Sequence, residues 1–305
     1  VDISEWAAGN TGISYVTRFD SGQPGPHVVV NALTHGNEVC GAHALAMLFR
    51  SGLRPIRGQL SLSFANVAAY LRFDPARPAA SRFIDEDLNR LWSKAVLDGP
   101  RQSRELTRAR ELRPLVESAD YLLDIHSMQN PSTALMLCGL QAKGRALAKA
   151  LGCPPYIVAD AGHPTGTRMR DYGDFANEQS PKTALLVECG QHWALSSRDM
   201  AIETMLRFLL ALQMIDPVAA APHLSTTPPA PQKLIEVTAA ITIAGDDFAF
   251  TGDYTGLEVI PAAGTAIGHD GGRPVLTPYD NCVLIMPTRR LQRGQTAVRF
   301  GRFVA

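Results

Sequence analysis

Short apolar runs alternate with stretches of helical periodicity over the first two-thirds of the chain. Residues 27–33 and 121–125 are predominantly apolar runs of the length typical of buried strands, whereas residues 39–50 repeat apolar side chains along one face of a helix. Strands that alternate with helices favour a mostly parallel or mixed sheet covered on both faces. The same criteria predict further strands at 12–19, 60–67 and 184–187 and further helices at 102–118, 143–151 and 198–214.

The pattern changes after residue 216. Five prolines fall among small and polar residues in 216–232, which excludes a helix interior and indicates a linker. Short β-rich runs separated by Gly- and Asp-containing turns follow, as in a small all-β domain. We therefore predict an α/β domain at 1–220, a Pro-rich linker at 221–232 and a C-terminal β domain at 233–305 that closes one wall of a cleft.

Charge and composition narrow the classes of partner. Lys plus Arg and Asp plus Glu both number 29, so no strongly basic surface favours nucleic acid or an anionic membrane. No apolar stretch reaches the roughly 18 residues of a membrane-spanning helix. The five cysteines include no C-x-x-C pair, and the N-terminus lacks a signal-peptide pattern. We expect a cytoplasmic protein that binds neither nucleic acid nor membrane.

The strongest local motif is His35-Gly36-Asn37-Glu38, which lies between a predicted strand and a predicted helix. A histidine and a glutamate three positions apart can reach one cation, and zinc sites commonly add a distant third ligand. His126 ends a strand, at the edge where open α/β sheets bind ligands. Two histidines and one glutamate leave a fourth position for water, as catalytic zinc sites do. Alternatively, His35 caps the turn and Glu38 simply begins the helix.

Two further carboxylates stand at strand ends. Glu188 follows the apolar run 183–187, where a carboxylate is costly unless it has a partner or a function. Metal-assisted hydrolysis needs a base that takes a proton from water and passes it to the leaving group, so we predict this role for Glu188. A glutamate paired with a core arginine is the alternative. Asp124 shares one side of its strand with His126 and is placed to orient it or to accept from a backbone amide.

Arg82 and Arg90 bracket three acidic residues and Asn89 in the segment 82–90. Arginine binds carboxylates through paired hydrogen bonds and can stabilise a developing oxyanion. Taken alone, such a charged segment is usually solvated surface. A catalytic interpretation therefore depends on the other motifs.

Four motifs in order resemble those of the succinylglutamate desuccinylase/aspartoacylase family, which comprises zinc-dependent deacylases related to the metallocarboxypeptidases. They are His35-Gly36-Asn37-Glu38, Asp87-Leu88-Asn89-Arg90, Asp124-Ile125-His126 and Glu188. The resemblance covers residues 28–190. It implies a carboxypeptidase-like α/β/α zinc hydrolase domain with a mixed sheet, followed by a small all-β domain.

The resemblance also implies a role for each matching residue. It implies that His35, Glu38 and His126 bind one zinc ion and that Glu188 activates the water. The other implied roles are polarisation of the scissile carbonyl by Arg82 and binding of a substrate carboxylate by Asn89 and Arg90.

Two positions that select an acidic side chain in aspartoacylases have no counterpart here. Residues 177–182, just before Glu188, contain no arginine, and Arg168 and Arg170 lie farther upstream. The C-terminal segment 283–286 offers no tyrosine. We therefore expect no strong preference for N-acetylaspartate over N-acetyl amino acids with neutral or basic side chains.

These features predict an enzyme with one zinc ion per chain that hydrolyses the linear amide of an N-acyl amino acid. Its expected partner is this small-molecule substrate, while the acyl group, the amino acid and assembly into a homo-oligomer stay open. One alternative is a metallocarboxypeptidase acting on peptides, which would need a groove open at one end. The other is a catalytically silent ligand-binding relative, against which the complete set of motifs argues.

Overall fold

The computed structural model describes residues 1–304, and no helix in that range has the length and apolar character needed to cross a membrane. The α-helices are α1 (Cys40–Arg50), α2 (Val67–Tyr70), α3 (Lys94–Leu97), α4 (Arg104–Ser118), α5 (Ala142–Leu151), α6 (Leu195–Ala211) and α7 (Pro217–Ala220). The strands are β1 (Val16–Asp20), β2 (His27–Ala32), β3 (Gln59–Phe64), β4 (Tyr121–Met128), β5 (Leu135–Leu137), β6 (Tyr156–Ala159), β7 (Thr183–Gln191), β8 (Lys233–Thr242), β9 (Ala249–Phe250), β10 (Val259–Ile260), β11 (Ala266–Asp270), β12 (Arg273–Leu276), β13 (Cys282–Ile285) and β14 (Thr296–Val304).

Eleven strands form one mixed sheet in the order β1-β3-β2-β4-β7-β5-β6-β8-β14-β13-β10. Its centre is parallel, because β2 pairs with both β3 and β4, and β4 pairs with β7. The neighbouring strand β5 runs antiparallel to β7. The carboxyl ends of β2, β4 and β7 therefore meet at one edge of the sheet, where α/β folds bind their ligands.

Helices cover both faces of this sheet, as the sequence predicts. Alternate residues of β2 point to opposite faces: Val28 and Val30 join the apolar layer under α1, α5 and α6, whereas Val29 joins the layer under α4. Burying each such side chain contributes about 1.5–3 kcal/mol, so the two layers fix the sheet between its helices. The mixed α/β fold with a C-terminal antiparallel region is confirmed.

The C-terminal strands continue the large sheet. Strand β8 pairs in parallel with β6 and antiparallel with β14, which in turn pairs with β13. A second sheet of three strands, in the order β12-β11-β9, lies beside them. The predicted domain boundaries at 220 and 233 stay a prediction, since the sheet itself runs across them.

Three local expectations differ from the structure. Strands β5 and β6 went unpredicted, because three or four residues are too few to display a period. Strand β1 begins at Val16 rather than at residue 12, after a turn in which Tyr15 has a φ of 60°. The Pro-rich segment opens with the short helix α7, whose Pro217 takes the first helical position, where a missing N–H costs nothing.

Candidate metal centre and active site

His35 and Glu38 lie in the turn between β2 and α1. The turn is tight: the Glu38 N–H donates to the His35 carbonyl at 3.1 Å. Gly36 is required between them, because a Cβ there would lie 2.4 Å from the Ser81 carbonyl oxygen. This geometry brings His35 Nδ1 to 2.8 Å from Glu38 Oε1.

His126, near the end of β4, completes a cluster with these two residues. Its Nδ1 lies 2.8 Å from Glu38 Oε2, so one carboxylate stands between two imidazoles. One potential ligand atom from each of the three residues lies within 4.8 Å of the others, and all three side chains are buried. Burial alone opposes a charge on Glu38, yet His35 and His126 hold its pKa well below the usual value. The structure thus brings the sequence-predicted ligand set together.

The donor chemistry of this cluster fits a metal such as zinc. The outer nitrogen of each histidine meets a carboxylate: His35 Nε2 lies 2.9 Å from Asp87 Oδ1, and His126 Nε2 lies 2.7 Å from Asp124 Oδ2. Such partners hold the proton on the outer nitrogen and leave the inner lone pair for a cation. The resulting set of two nitrogens and one carboxylate oxygen is typical of an open zinc site.

Burial and the neighbouring carboxylates have opposite effects on the pKa of His126. Burial would lower its pKa, but Asp124 and Glu38 raise that pKa well above the usual value. A cation at Nδ1 would take the place of the proton that these carboxylates now favour. The same electrostatic environment therefore suits either a proton or a metal ion.

Glu188 stands beside the cluster on β7, directly opposite His126 in the strand pairing. Its Oε2 is buried and has no hydrogen-bond partner among residues 1–304. Burial, together with the negative charge of Glu38, raises the pKa of Glu188 to about 8. The alternative of a glutamate paired with a core arginine has no ion pair to support it in the described part of the chain. A carboxylate with an available oxygen next to a metal cluster is suited to proton transfer.

Arg82 contacts the cluster from the segment after the 3₁₀ helix Pro78–Ser81. Its Nη1 donates to Glu38 Oε1 and its Nη2 donates to Asp87 Oδ2, both at 3.1 Å. Burial opposes its charge, but Asp87 and Glu38 raise its pKa. The Nη2 atom also comes within 2.8 Å of His35 Nε2. A guanidinium only donates, so Asp87 remains the acceptor for a proton on that nitrogen.

Asn89 and Arg90 lie on the 3₁₀ helix Leu88–Arg90, which Asp87 caps by accepting from the Asn89 N–H at 2.9 Å. The Asn89 side-chain oxygen accepts from the Met169 N–H at 2.8 Å, and its amide nitrogen lies 3.4 Å from His126 Nε2. Arg90 donates to the Asn89 carbonyl at 2.7 Å. Burial, opposed by Asp87 and reinforced by Arg82, lowers the Arg90 pKa to about 10.

A cavity of about 530 Å³ joins these residues. All seven predicted site residues line it: His35, Glu38, Arg82, Asn89, Arg90, His126 and Glu188. The C-terminal region supplies another wall, which includes Met286, Arg290 and Arg299. This placement agrees with the expectation that the β region closes one side of the cleft.

Several residues of the site escaped the sequence analysis. Asp87 lay inside a quoted motif, but its contact with His35 depends on a loop path that the sequence does not specify. Arg299 could have been found from the sequence, because an arginine inside the buried strand β14 is as unusual as Glu188 on β7. Arg168, which the sequence analysis located only upstream of residues 177–182, donates from two nitrogens to Asp160 at 2.7 and 2.8 Å.

Comparisons with known proteins show the family of this chain. A family model described as the succinylglutamate desuccinylase/aspartoacylase catalytic domain matches residues 24–214, a span that contains all seven predicted site residues. A succinylglutamate desuccinylase of Pseudoalteromonas atlantica is 24% identical over 300 residues, covering 89% of this chain and 79% of the relative. An N-acyl-aromatic-L-amino acid amidohydrolase (carboxylate-forming) of Rattus norvegicus is 30% identical over 116 residues, 35% of each chain.

The fold is shared with solved structures of the same group. The X-ray structure of a succinylglutamate desuccinylase from Vibrio parahaemolyticus matches with a TM-score of 0.68 at 19% identity. The match covers 96% of this chain and 87% of the other. It therefore extends through the C-terminal region that the family model leaves out.

Proposed function

This chain belongs to the succinylglutamate desuccinylase/aspartoacylase family, and we propose that it is a zinc-dependent hydrolase of the linear amide in an N-acyl amino acid. The observation that carries the proposal is the convergence of His35, Glu38 and His126 beside Glu188, whose Oε2 is buried without a partner among residues 1–304. Three ligands and a neighbouring base are the parts that metal-assisted hydrolysis requires.

His35, Glu38 and His126 are the residues that would hold the zinc ion. When bound, zinc supplies polarisation of a carbonyl oxygen and lowers the pKa of a water molecule. Asp87 and Asp124 keep the protons of the two histidines on their outer nitrogens. Their role is to orient the inner nitrogens toward the cation.

Glu188 is the proposed general base. Its Oε2 would take a proton from the attacking water and then give it to the nitrogen of the leaving amino acid. The available lone pairs of this oxygen and its place beside His126 support the assignment.

Two arginines would act on different parts of the substrate. Arg90, with the amide N–H groups of Asn89, would bind a carboxylate, because a guanidinium matches the planar geometry of that group. Arg82 stands against Glu38 and would stabilise the carbonyl oxygen as it gains negative charge.

The substrate class follows from what the relatives share. One relative is named for succinylglutamate and another for N-acyl-aromatic amino acids, so both act on the amide of an N-acyl amino acid. A cavity of about 530 Å³ lies within the range of about 300–1,000 Å³ that suits small molecules. The wall formed by Met286 and Arg299 disfavours the longer groove that a peptide substrate would need.

The cysteines support a reducing compartment. All five are buried free thiols, and free thiols persist where glutathione and thioredoxin keep them reduced. We therefore keep the cytoplasm as the proposed location.

The decisive experiment compares metal binding with catalysis. We expect about one zinc per chain and release of free amino acid from at least one member of a panel of N-acyl amino acids. Glu188→Gln should retain zinc and lose roughly 100-fold or more in kcat, as expected when a general base is removed. Glu178→Gln, in the exposed loop before β7, is the matched control and should leave both properties unchanged.

Two results would contradict the proposal. Retention of stoichiometric zinc by both His35→Ala and His126→Ala would put the metal elsewhere. A near-wild-type rate for Glu188→Gln would assign the base role to another residue.

A further inference from the structure

Arg299 on β14 is a buried cation without a partner. Its side chain lines the cavity, the residue is 7% exposed, and its guanidinium makes no hydrogen bond or ion pair within residues 1–304. Burying an uncompensated charge is costly, so such a group usually has a ligand or an ion pair to neutralise it. Building on the proposed function, we propose that Arg299 determines specificity by binding a second carboxylate, carried by the side chain of the substrate's amino acid.

Three other arginines of the cavity already have partners, whereas Arg290, which has no side-chain partner among residues 1–304, is only partly buried. Arg168 gives two nitrogens to Asp160, and Arg82 donates to Glu38 and Asp87. Arg90 donates to a backbone carbonyl and has a carboxylate oxygen of Asp87 at 3.8 Å. Arg299 therefore keeps the full set of donors that a bidentate carboxylate would use.

Asp160 does not neutralise Arg299. It is the carboxylate with the largest favourable effect on the Arg299 charge, but both of its oxygens already accept from Arg168. Burial and the nearby Arg168 charge accordingly keep the Arg299 pKa below its usual value. A substrate carboxylate would supply the missing negative charge.

Arg299 and Arg90 line the same cavity, and the charge of Arg299 is among those that lower the Arg90 pKa. Both charges also act on His163, in the loop before Arg168. Burial is the main reason that the His163 pKa falls to about 3, and the charges of Arg90 and Arg299 lower it further. Two arginines in one cavity suit an amino acid with two carboxylates, one for each guanidinium. On this basis we assign the second carboxylate to the amino acid, and a carboxylate on the acyl group is the alternative that the experiment distinguishes.

Arg299 also changes the expectation about substrate preference. The sequence analysis expected no strong preference for an acidic side chain, because no arginine precedes Glu188. Strand β14 brings an arginine to the cavity from the C-terminal region instead. Selection of an acidic side chain is therefore available through a different element.

The test compares acids with their isosteric amides. Zinc-loaded protein is assayed with N-acetylaspartate against N-acetylasparagine and with N-acetylglutamate against N-acetylglutamine. We expect at least one acid to exceed its amide by about tenfold or more in kcat/KM. Arg299→Gln should remove that preference by raising KM for the acid, with the amide unchanged within about twofold.

Two companion variants separate charge from packing. Arg302→Gln alters an exposed arginine on the same strand, which stacks on the Tyr279 ring, and should leave the preference intact. Arg299→Lys restores a positive charge and should recover part of the preference. Calorimetric binding of glutamate against glutamine to wild type and Arg299→Gln reports the same contact without turnover.

The outcomes distinguish this inference from the proposed function. Equal hydrolysis of acids and amides by the wild type, or an equal loss of both in Arg299→Gln, would overturn the role of Arg299 while leaving the deacylase intact. If Arg299→Gln impairs N-succinylalanine and spares the acidic N-acetyl substrates, the second carboxylate belongs on the acyl group and the placement is wrong. Failure to hydrolyse any N-acyl amino acid would instead refute the proposed function.

Discussion

Glu38 shows how single residues preorganise the site. Its Oε1 accepts from Arg82, and its Oε2 accepts from the Ser127 N–H, both at 3.1 Å. His35 and His126 approach the same two oxygens at 2.8 Å. A carboxylate held by four groups cannot rotate freely, so its position is fixed before a metal arrives.

Replacing Arg82 and replacing Arg90 should change different kinetic constants. Arg90→Ala should mainly raise KM, because the proposed carboxylate contact forms in the ground state and persists in the transition state. Arg82→Ala should mainly lower kcat, by about 100-fold, because a developing oxyanion meets that guanidinium in the transition state. Steady-state kinetics on the best substrate of the panel measures both effects.

Zinc content must accompany those rates, because Arg82 also donates to Glu38. Zinc retained with a reduced kcat supports the oxyanion role. If Arg82→Ala and Arg90→Ala both raise KM and leave kcat unchanged, the separate roles assigned to the two arginines are wrong.

Individual site residues could be predicted where chemistry and strand position coincide. His126 and Glu188 are polar residues that directly follow apolar runs, although strands β4 and β7 continue to Met128 and Gln191. The cost of burying a polar group there makes both residues conspicuous. Asp87 could not be assigned a partner, because only the fold of the segment around it brings its carboxylate to His35.

At the scale of elements, three neighbouring parallel strands assemble the candidate metal site. The turn after β2 carries His35 and Glu38, β4 carries His126, and β7 carries Glu188 in register with His126. Carboxyl ends of adjacent parallel strands share an edge, so the position of each motif after a predicted strand indicated where these residues would meet. No comparable rule positions the segment 82–90, which has no regular period.

Helix α4 holds that segment through Glu105. This fully buried carboxylate accepts from the backbone N–H groups of Ile84 at 2.7 Å, Asp85 at 3.0 Å and Glu86 at 3.3 Å. In return, the Arg104 N–H at the helix start donates to Asp85 at 2.8 Å. The first turn of α4 thereby fixes the backbone just before Asp87.

Glu105→Gln should weaken both stability and catalysis. The amide NH₂ would face backbone donors that the carboxylate now satisfies, so the free energy of unfolding should fall by about 2–3 kcal/mol. kcat should fall as well, because displacement of the segment moves Asp87 away from His35. Urea unfolding and steady-state kinetics measure the two effects.

Glu111→Gln provides the control on the exposed face of the same helix. It should change stability by no more than about 0.5 kcal/mol. Unchanged stability and kcat in Glu105→Gln would show that the segment is held by other contacts.

At the scale of the whole molecule, one sheet links the candidate metal site to the C-terminal wall of the cavity. Strand β8 pairs with β6, and β14 follows, which brings Arg299 to the cavity. The sequence predicted β strands after residue 233 but not that they extend the large sheet. Strand pairing between distant segments depends on register and burial that local patterns do not encode. The extended sheet predicts that both parts of the chain unfold together.

Zinc should stabilise the whole molecule in one transition. Binding to the folded state alone raises the free energy of unfolding by about 4 kcal/mol when free zinc exceeds Kd a thousandfold. Calorimetry should therefore show a single transition whose Tm falls on chelation and returns when zinc is added back.

His126→Ala should lose this shift, whereas His43→Ala, which changes a histidine on α1 outside the cluster, should keep it. An unaltered shift in His126→Ala would remove the histidine from the metal site. Two transitions, of which only one responds to zinc, would instead show that the C-terminal strands fold as a separate unit despite the shared sheet.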